Sequence, residues 1–319
     1  MRRLANSAKY ALMFAFAVWC GIALRGDLAQ MSLEPLLLSW ELVVLAAALS
    51  LLNYALRIVR WRWYLGKLGY RLPRRFAALT FTAGFAYTLS PGKIGEMIRA
   101  RYYVPLGIPL SDVTAAFFAE RLLDLVAMVL LAALLLTSAA RYQGAIIYAA
   151  VAVAAILVLV ATLPWTSIVS SVGTAERIPR VVRSPLVSLA SAFASTRPLM
   201  RPGVLAGGFA LGMLAWGLEG AGLGVLSSIY PHIHLAPITA AGIYGVAVLI
   251  GGLSFMPGGL GGTEAVMTTL LVANGCSVSQ ALLITLLCRL LTLWFAVLLG
   301  WIAVFLLRNR SLHVAQPWQ

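Results

Sequence analysis

Charge is scarce in this chain, and acidic charge most of all: ten Asp and Glu stand against 24 Lys and Arg, and charged residues make up only 11% of 319 positions. A soluble globule carries about a quarter of its residues charged, so a soluble globular domain is excluded. Cysteine is reduced to Cys20, Cys276 and Cys288, an odd number and all within apolar runs. That leaves no disulfide framework and no zinc knuckle. His232 and His234 share one short loop, and two ligands fall short of a metal site. Neither a metal nor a cofactor is expected. The excess of basic over acidic residues would invite a nucleic-acid reading in a soluble protein, but here the cations lie at the ends of apolar segments. That placement orients membrane helices, and no nucleic acid is expected as a partner.

What is abundant is apolar: 61% of residues are hydrophobic and the mean hydropathy is +0.93. The composition predicts an all-α polytopic membrane protein forming one transmembrane domain over 1–319. Helices are expected at 10–24, a retained first helix with no clear cleavage site after it, and then at about 35–56, 111–137, 143–163, 203–229 and 279–307. Between 57 and 75, seven Arg and Lys alternate with Trp61, Trp63, Tyr64 and Tyr70, which reads as an interfacial loop that anchors the chain and gathers anionic head groups. Residues 164–202 read as a cytoplasmic connector holding one amphipathic helix. In the helix at 203–229, Gly208, Gly212, Gly220 and Gly224 give two small-xxx-small pairs for close helix approach.

One pattern occurs twice. Pro91-Gly92-Lys93-Ile94-Gly95-Glu96 is matched by Pro257-Gly258-Gly259-Leu260-Gly261-Gly262-Thr263-Glu264, and past a two-residue insertion the copies stay in register. Glu96 falls on Glu264, Gly107 on Gly275, Ser111 on Ser279 and Arg121 on Arg289. An internal repeat with halves at about 76–137 and 236–307 is expected. The apolar run before Pro91 is about 14 residues, or about 21 Å as a helix, too short for a hydrocarbon core of about 30 Å. At the second unit the limb at 236–256 is long enough to span but the one at 263–274 is not, so each Pro-Gly unit reads as a re-entrant hairpin, with turns at Pro91, Gly92 and Gly95 and at Pro257, Gly258 and Gly261. Three crossings between the hairpins make them enter from opposite faces, an inverted repeat. With the amino terminus in the cytoplasm, 17 of the 24 basic residues fall in cytoplasmic segments, two (Arg25 and Arg141) outside and five at membrane depth, as the positive-inside rule requires.

Charges at membrane depth are costly, about 2.5 to 3.5 kcal/mol each on insertion scales, so Lys93, Glu96, Arg121, Asp124, Glu219, Glu264 and Arg289 are expected to partner one another. Two readings stand side by side. The charges are buried pairs that fix hairpins to helices, or they line a pathway in which Arg121 and Arg289 receive a phosphate oxygen while Glu96 and Glu264 hold the arginines or exchange protons. The substrate-binding set is then Lys93, Glu96, Arg121, Asp124, Glu264 and Arg289. Asp124 shares a helix face with Arg121, whereas Glu120, turned about 100° away, is expected to face elsewhere.

Asn53-Tyr54-Ala55-Leu56-Arg57 with Arg60-Trp61, the first Pro-Gly unit, Glu120-Arg121 with Asp124, and the second Pro-Gly unit resemble, in that order, the lysylphosphatidylglycerol synthase transmembrane-region family. This family is also described as flippase-like and includes the membrane half of the bacterial multiple-peptide-resistance factor. The resemblance spans about residues 5–310. It implies an eight-helix-like fold with re-entrant hairpins and a lipid-translocating role. Homologues in hopanoid and archaeal glycan-lipid pathways widen the range of cargo. In the synthase the aminoacyl transfer belongs to a soluble carboxyl-terminal domain, for which the residues before Gln319 leave no room, so lysyl transfer is not expected. The expectation is a transporter rather than an enzyme, in the bacterial inner membrane with both termini cytoplasmic. Its partner would be an anionic phospholipid or a polyprenyl-phosphate-type lipid, and a homodimer is admitted. The alternatives are a membrane-embedded lipid-linked transferase and an accessory scaffold subunit.

Overall fold

The computed structural model describes residues 34–136, 162–174, 180–254 and 256–308, with 148, 151 and 155. The candidate helix at 10–24 and most of that at 143–163 lie outside the described residues, as does Cys20. The described chain is helical, with no strand among the described residues. A short lead-in helix at Glu34–Leu38 is followed by α1 (Trp40–Lys67), α2 (Arg74–Phe85), a 3-10 turn (Pro91–Arg99) that runs into one α-helical turn (Ala100–Tyr103), and α3 (Leu110–Leu136). Then come α4 (Trp165–Thr174), α5 (Arg180–Ser195), α6 (Pro202–Ser227), α7 (Pro237–Leu253), a second 3-10 turn (Pro257–Gly259), α8 (Gly262–Ala273), α9 (Val278–Arg289) and α10 (Phe295–Arg308). A π-helical turn at Leu290–Trp294 joins α9 to α10 without a break.

Among the described residues three helices are long and apolar enough to cross a membrane: α1, α6 and the continuous 278–308 helix. Helix α3 is as long, 27 residues, but carries Glu120, Arg121 and Asp124 within four turns of its start. Polarity is inverted relative to a soluble bundle. On α1, Ser50, Asn53, Tyr54, Arg57, Arg60, Trp61 and Tyr64 recur at helical spacing and are all buried, while Leu51, Leu52 and Val59 on the opposite side are exposed. A helix with a polar inner face and an apolar outer face is stable where the surroundings are lipid.

This corrects the expected boundary at 56. The helix continues to Lys67, and Arg57 and Arg60 lie inside the protein rather than in a surface loop, which takes both out of the 17 basic residues expected in cytoplasmic segments. The connector holds two helices, α4 and α5, instead of one; they pack on each other, and Phe193 of α5 meets Phe118 of α3 edge-on at 4.7 Å.

Helix α6 is the central pillar, packed on α1, α3 and α7. Its glycines make this possible. A Cβ on Gly212 would collide with the Arg60 guanidinium, and one on Gly220 would lie 2.6 Å from the Ala241 Cα. Both expected glycine pairs therefore serve close approach, the first toward α1 and the second toward α7. Helix α2 packs along α10, and the two Pro-Gly turns touch each other, with Leu89 against Gly258. Backbone strain concentrates in these turns. Gly258, Gly259 and Gly261 take positive φ, and Lys93, two residues past Pro91 as Gly259 is past Pro257, takes φ 57° with a full side chain. The left-handed region costs a non-glycine residue about 1 to 2 kcal/mol, and such strain gathers where geometry serves a site.

Candidate functional site

The buried charges divide into a sealed network and an open cavity. The network joins α1, the first turn and α3. Glu120 is its hub, meeting the separate neighbour expected for it, Arg99, and Arg121 as well. The carboxylate accepts from Arg99 at 3.0 Å and lies 3.0 Å from Arg121 Nη2 and 3.5 Å from both Arg57 and Arg60. The expected 100° separation on the helix is overcome by the length of the Arg121 side chain, which folds back onto its neighbour. Asp124 accepts from Arg60 at 2.6 Å and sits 3.2 Å from Arg121. Glu96 accepts from Arg99 at 2.5 Å and from the Thr88 hydroxyl at 2.8 Å, with Arg121 3.8 Å away. Arg99 is further sandwiched by the rings of Phe81 and Trp61, at 4.1 and 4.6 Å, where cation–π attraction is strongest because water is excluded. Among the described residues four guanidinium groups thus face three carboxylates, one positive charge in excess.

The cavity, about 150 Å³, lies between the two Pro-Gly turns. Arg57 of α1, Lys93 of the first turn and Arg289 of α9 line it, with Glu219 of α6 as the acidic group on its wall. Tyr54, Thr88, Ser90, Tyr244 and Thr292 supply hydroxyls around them. Arg57 is the residue shared by network and cavity. It is 5% exposed, yet its Nε and Nη2 make no hydrogen bond, and its charge is met by carboxylates only at 3.5 and 4.0 Å and by the rings of Phe85 and Trp216. Lys93 lies over the Trp216 ring at 5.3 Å, and no carboxylate stands within salt-bridge distance of it among the described residues. Glu219 accepts from Ser50 at 3.1 Å and likewise has no cation within that distance among the described residues. The expectation that all seven intramembrane charges pair off therefore fails at Lys93 and Glu219.

Arg289 has its expected partner. Its Nε donates to Glu264 at 2.6 Å and its Nη2 to the carbonyl of Gly258 at 2.7 Å, which ties α9 to the second turn and to α8. The π-helical turn that follows offsets the backbone ladder, and the Tyr54 hydroxyl reaches the carbonyls of Leu291 and Thr292, both at 3.0 Å. Widened turns of this kind release backbone acceptors. Glu96–Arg121 and Glu264–Arg289 are thus the same pair, 25 residues apart in sequence, met at both occurrences of the Pro-Gly pattern.

Of the expected substrate-binding residues, Lys93 and Arg289 line the cavity, and Glu264 stands behind Arg289 as its counter-charge. Glu96, Arg121 and Asp124 belong to the network and are not on the cavity wall. Gly258 of the expected turn residues is on the wall; Pro91, Gly92, Gly95, Pro257 and Gly261 shape the turns around it. Sequence reasoning left Arg57, Arg60, Arg99, Glu120 and Tyr54 out of the expected site, although all but Arg99 stand in the motifs that carry the family resemblance. The signal for the α1 members was their spacing of three and four residues with Asn53, Trp61 and Tyr64.

The family model described as the lysylphosphatidylglycerol synthase TM region matches residues 7–300, so the chain belongs to that family. No curated protein matches the chain significantly.

Proposed function

We propose that this family member is a flippase-like transporter that moves a phosphate-bearing lipid between leaflets, and that the cavity between the Pro-Gly turns holds the head group. The observation that carries the reading is the meeting of three cations from separate elements, Arg57, Lys93 and Arg289, around one cavity with, among the described residues, a single carboxylate on its wall. Buried arginines with open donors suit phosphate oxygens. A ligand pocket that encloses a whole drug-sized molecule measures about 300 to 1,000 Å³, so a cavity of 150 Å³ takes a head group and leaves the acyl chains outside. The cargo is an anionic phospholipid or a polyprenyl-phosphate-type lipid.

In this reading the two turns are opposed re-entrant hairpins of an inverted repeat with halves at about 76–137 and 236–307, supported by the recurrent Glu–Arg pair and by the contact between the turns. Each hairpin gates one exit of the shared cavity. Glu264 couples transport to protons, because a phosphate that takes Arg289 leaves its carboxylate without a counter-charge. The chain sits in the bacterial inner membrane with both termini cytoplasmic. A cysteine at His232 then reacts with an impermeant reagent from outside, and one at Gly69 does not; the reverse pattern overturns the topology.

The deciding experiment uses the full chain in liposomes with fluorescent anionic and zwitterionic lipids. A transporter changes the leaflet accessibility of the anionic lipid without changing its mass. A changed mass would favour a membrane-embedded transferase, and neither change would favour an accessory scaffold.

A further inference from the structure

The carboxyl-terminal end of α1 and the loop after it enclose a second and more open cavity of about 640 Å³, which shares no lining residue with the first. Among the described residues its wall carries three cations, Arg62, Lys67 and Arg71, and no carboxylate. Asp112, the acid in contact with this wall, is held by the Tyr70 hydroxyl at 2.7 Å. Arg62 Nε donates to the carbonyl of Leu72 at 3.0 Å, so the loop is tied to the helix and the groove has its shape without a ligand. The Lys67 ammonium lies 5.8 Å from the Trp63 ring.

The floor is apolar, with Val59 and Leu211 among its residues. Val59 and Leu52, seven residues apart, fall on one side of α1, and both are exposed. The groove therefore opens onto the outward apolar stripe of a membrane-spanning helix. A free anion would find cations here but no use for the floor or the stripe. A zwitterionic lipid would bring a cation of its own against three others.

We propose that this groove is a binding site for one anionic phospholipid, its phosphate among Arg62, Lys67 and Arg71 and one acyl chain along Val59 and Leu52. The site lies at the end of a span, where basic side chains meet the head-group layer, and it does not depend on the function of the cavity between the turns.

Trp63 on its wall provides the reporter. The full chain would be placed in nanodiscs of phosphatidylcholine with increasing dibrominated phosphatidylglycerol, and the Trp63 share of quenching obtained by difference from Trp63→Phe. That share is expected to saturate at low mole fraction of the anionic lipid, and at a fraction about fivefold higher in Lys67→Gln and again in Arg71→Gln, since each cation near a head-group layer is worth about a factor of five. Both side chains are exposed, so unchanged helicity and elution are expected. Arg57→Gln, which alters the first cavity, should leave the Trp63 signal as it is, whatever it does to transport. Equal quenching by dibrominated phosphatidylcholine would reduce the groove to an apolar contact and overturn the proposal. Displacement of the anionic lipid by millimolar inorganic phosphate would make it a free-anion site and overturn it equally.

Discussion

Arg57 is the residue on which the two readings of the buried charges part company, so Arg57→Gln is the informative perturbation. Within the network its role is minor. Glu120 keeps Arg60, Arg99 and Arg121 when Arg57 is removed, and the carboxylates that Arg57 leaves behind stand 3.5 and 4.0 Å from it without a hydrogen bond. The excess of one positive charge among the four guanidinium groups is removed as well. A stability loss below about 1.5 kcal/mol is therefore expected, the scale of one ordinary polar contact. Arg99→Gln is the contrast: it breaks close pairs with both Glu96 and Glu120 and strips the cation from Phe81 and Trp61, for which about 3 to 5 kcal/mol is the usual loss when one partner of a buried pair is removed. Transport should rank the other way among molecules that fold. A hydrogen bond to a charged group contributes about 1.5 to 3 kcal/mol, so losing the Arg57 fork from a bound phosphate should slow lipid movement by about ten- to a hundredfold. The assay is leaflet accessibility of a fluorescent anionic lipid in liposomes, normalised to folded protein, beside thermal unfolding in detergent. If Arg57→Gln unfolds as easily as Arg99→Gln while the folded fraction transports at the parent rate, the cavity is packing and the phosphate reading is wrong.

Three further outcomes are expected. Arg289→Lys loses the planar fork that serves Glu264 and the Gly258 carbonyl together and should cut transport by folded protein at least tenfold, beside a stability loss of about 1.5 to 3 kcal/mol for the lost contact, whereas Arg121→Lys, off the cavity wall, should act on unfolding temperature and leave lipid affinity alone; identical transport by the two, normalised to folded protein, would contradict the division between network and cavity. Glu120→Gln removes the hub of four arginines and should lower stability by about 3 to 5 kcal/mol, read as loss of monodisperse protein and of unfolding temperature. Gly300→Ala places a methyl group against the backbone of Phe85 and Ala86, atoms that cannot rotate away, and should cost about 1 to 3 kcal/mol as overpacking; an unfolding temperature equal to the parent's would show that α2 and α10 separate freely.

Much of this architecture is written locally. Two prolines followed by glycine end two apolar runs, the first of them only about 14 residues long, and the glycines of α6 recur at the spacing that close packing needs. The Arg289–Glu264 pair could be anticipated because intramembrane charges of opposite sign need partners. What could not be read locally is which faces meet. Seven cations and four aromatic residues between 57 and 75 resemble a surface loop, and composition outweighed the helical spacing that places Arg57 and Arg60 with Asn53 and Tyr54. Glu120 became a hub only because α1 and the first turn both deliver arginines to it, from about 60 and about 20 residues away along the chain. Those contacts also explain why one arginine of the four has no carboxylate closer than 3.5 Å. Arg60, Arg99 and Arg121 each have a carboxylate oxygen within 3.0 Å, so each of the three acids has a cation nearer than Arg57. Arg57 is left to face the space between the turns, where Lys93 is held in a strained backbone and Glu219 accepts from the Ser50 hydroxyl, with no cation in salt-bridge distance among the described residues. A network built for stability alone would gain by an apolar residue at 57. An unmatched guanidinium at the boundary between sealed charges and an open cavity is what a site for an incoming anion requires.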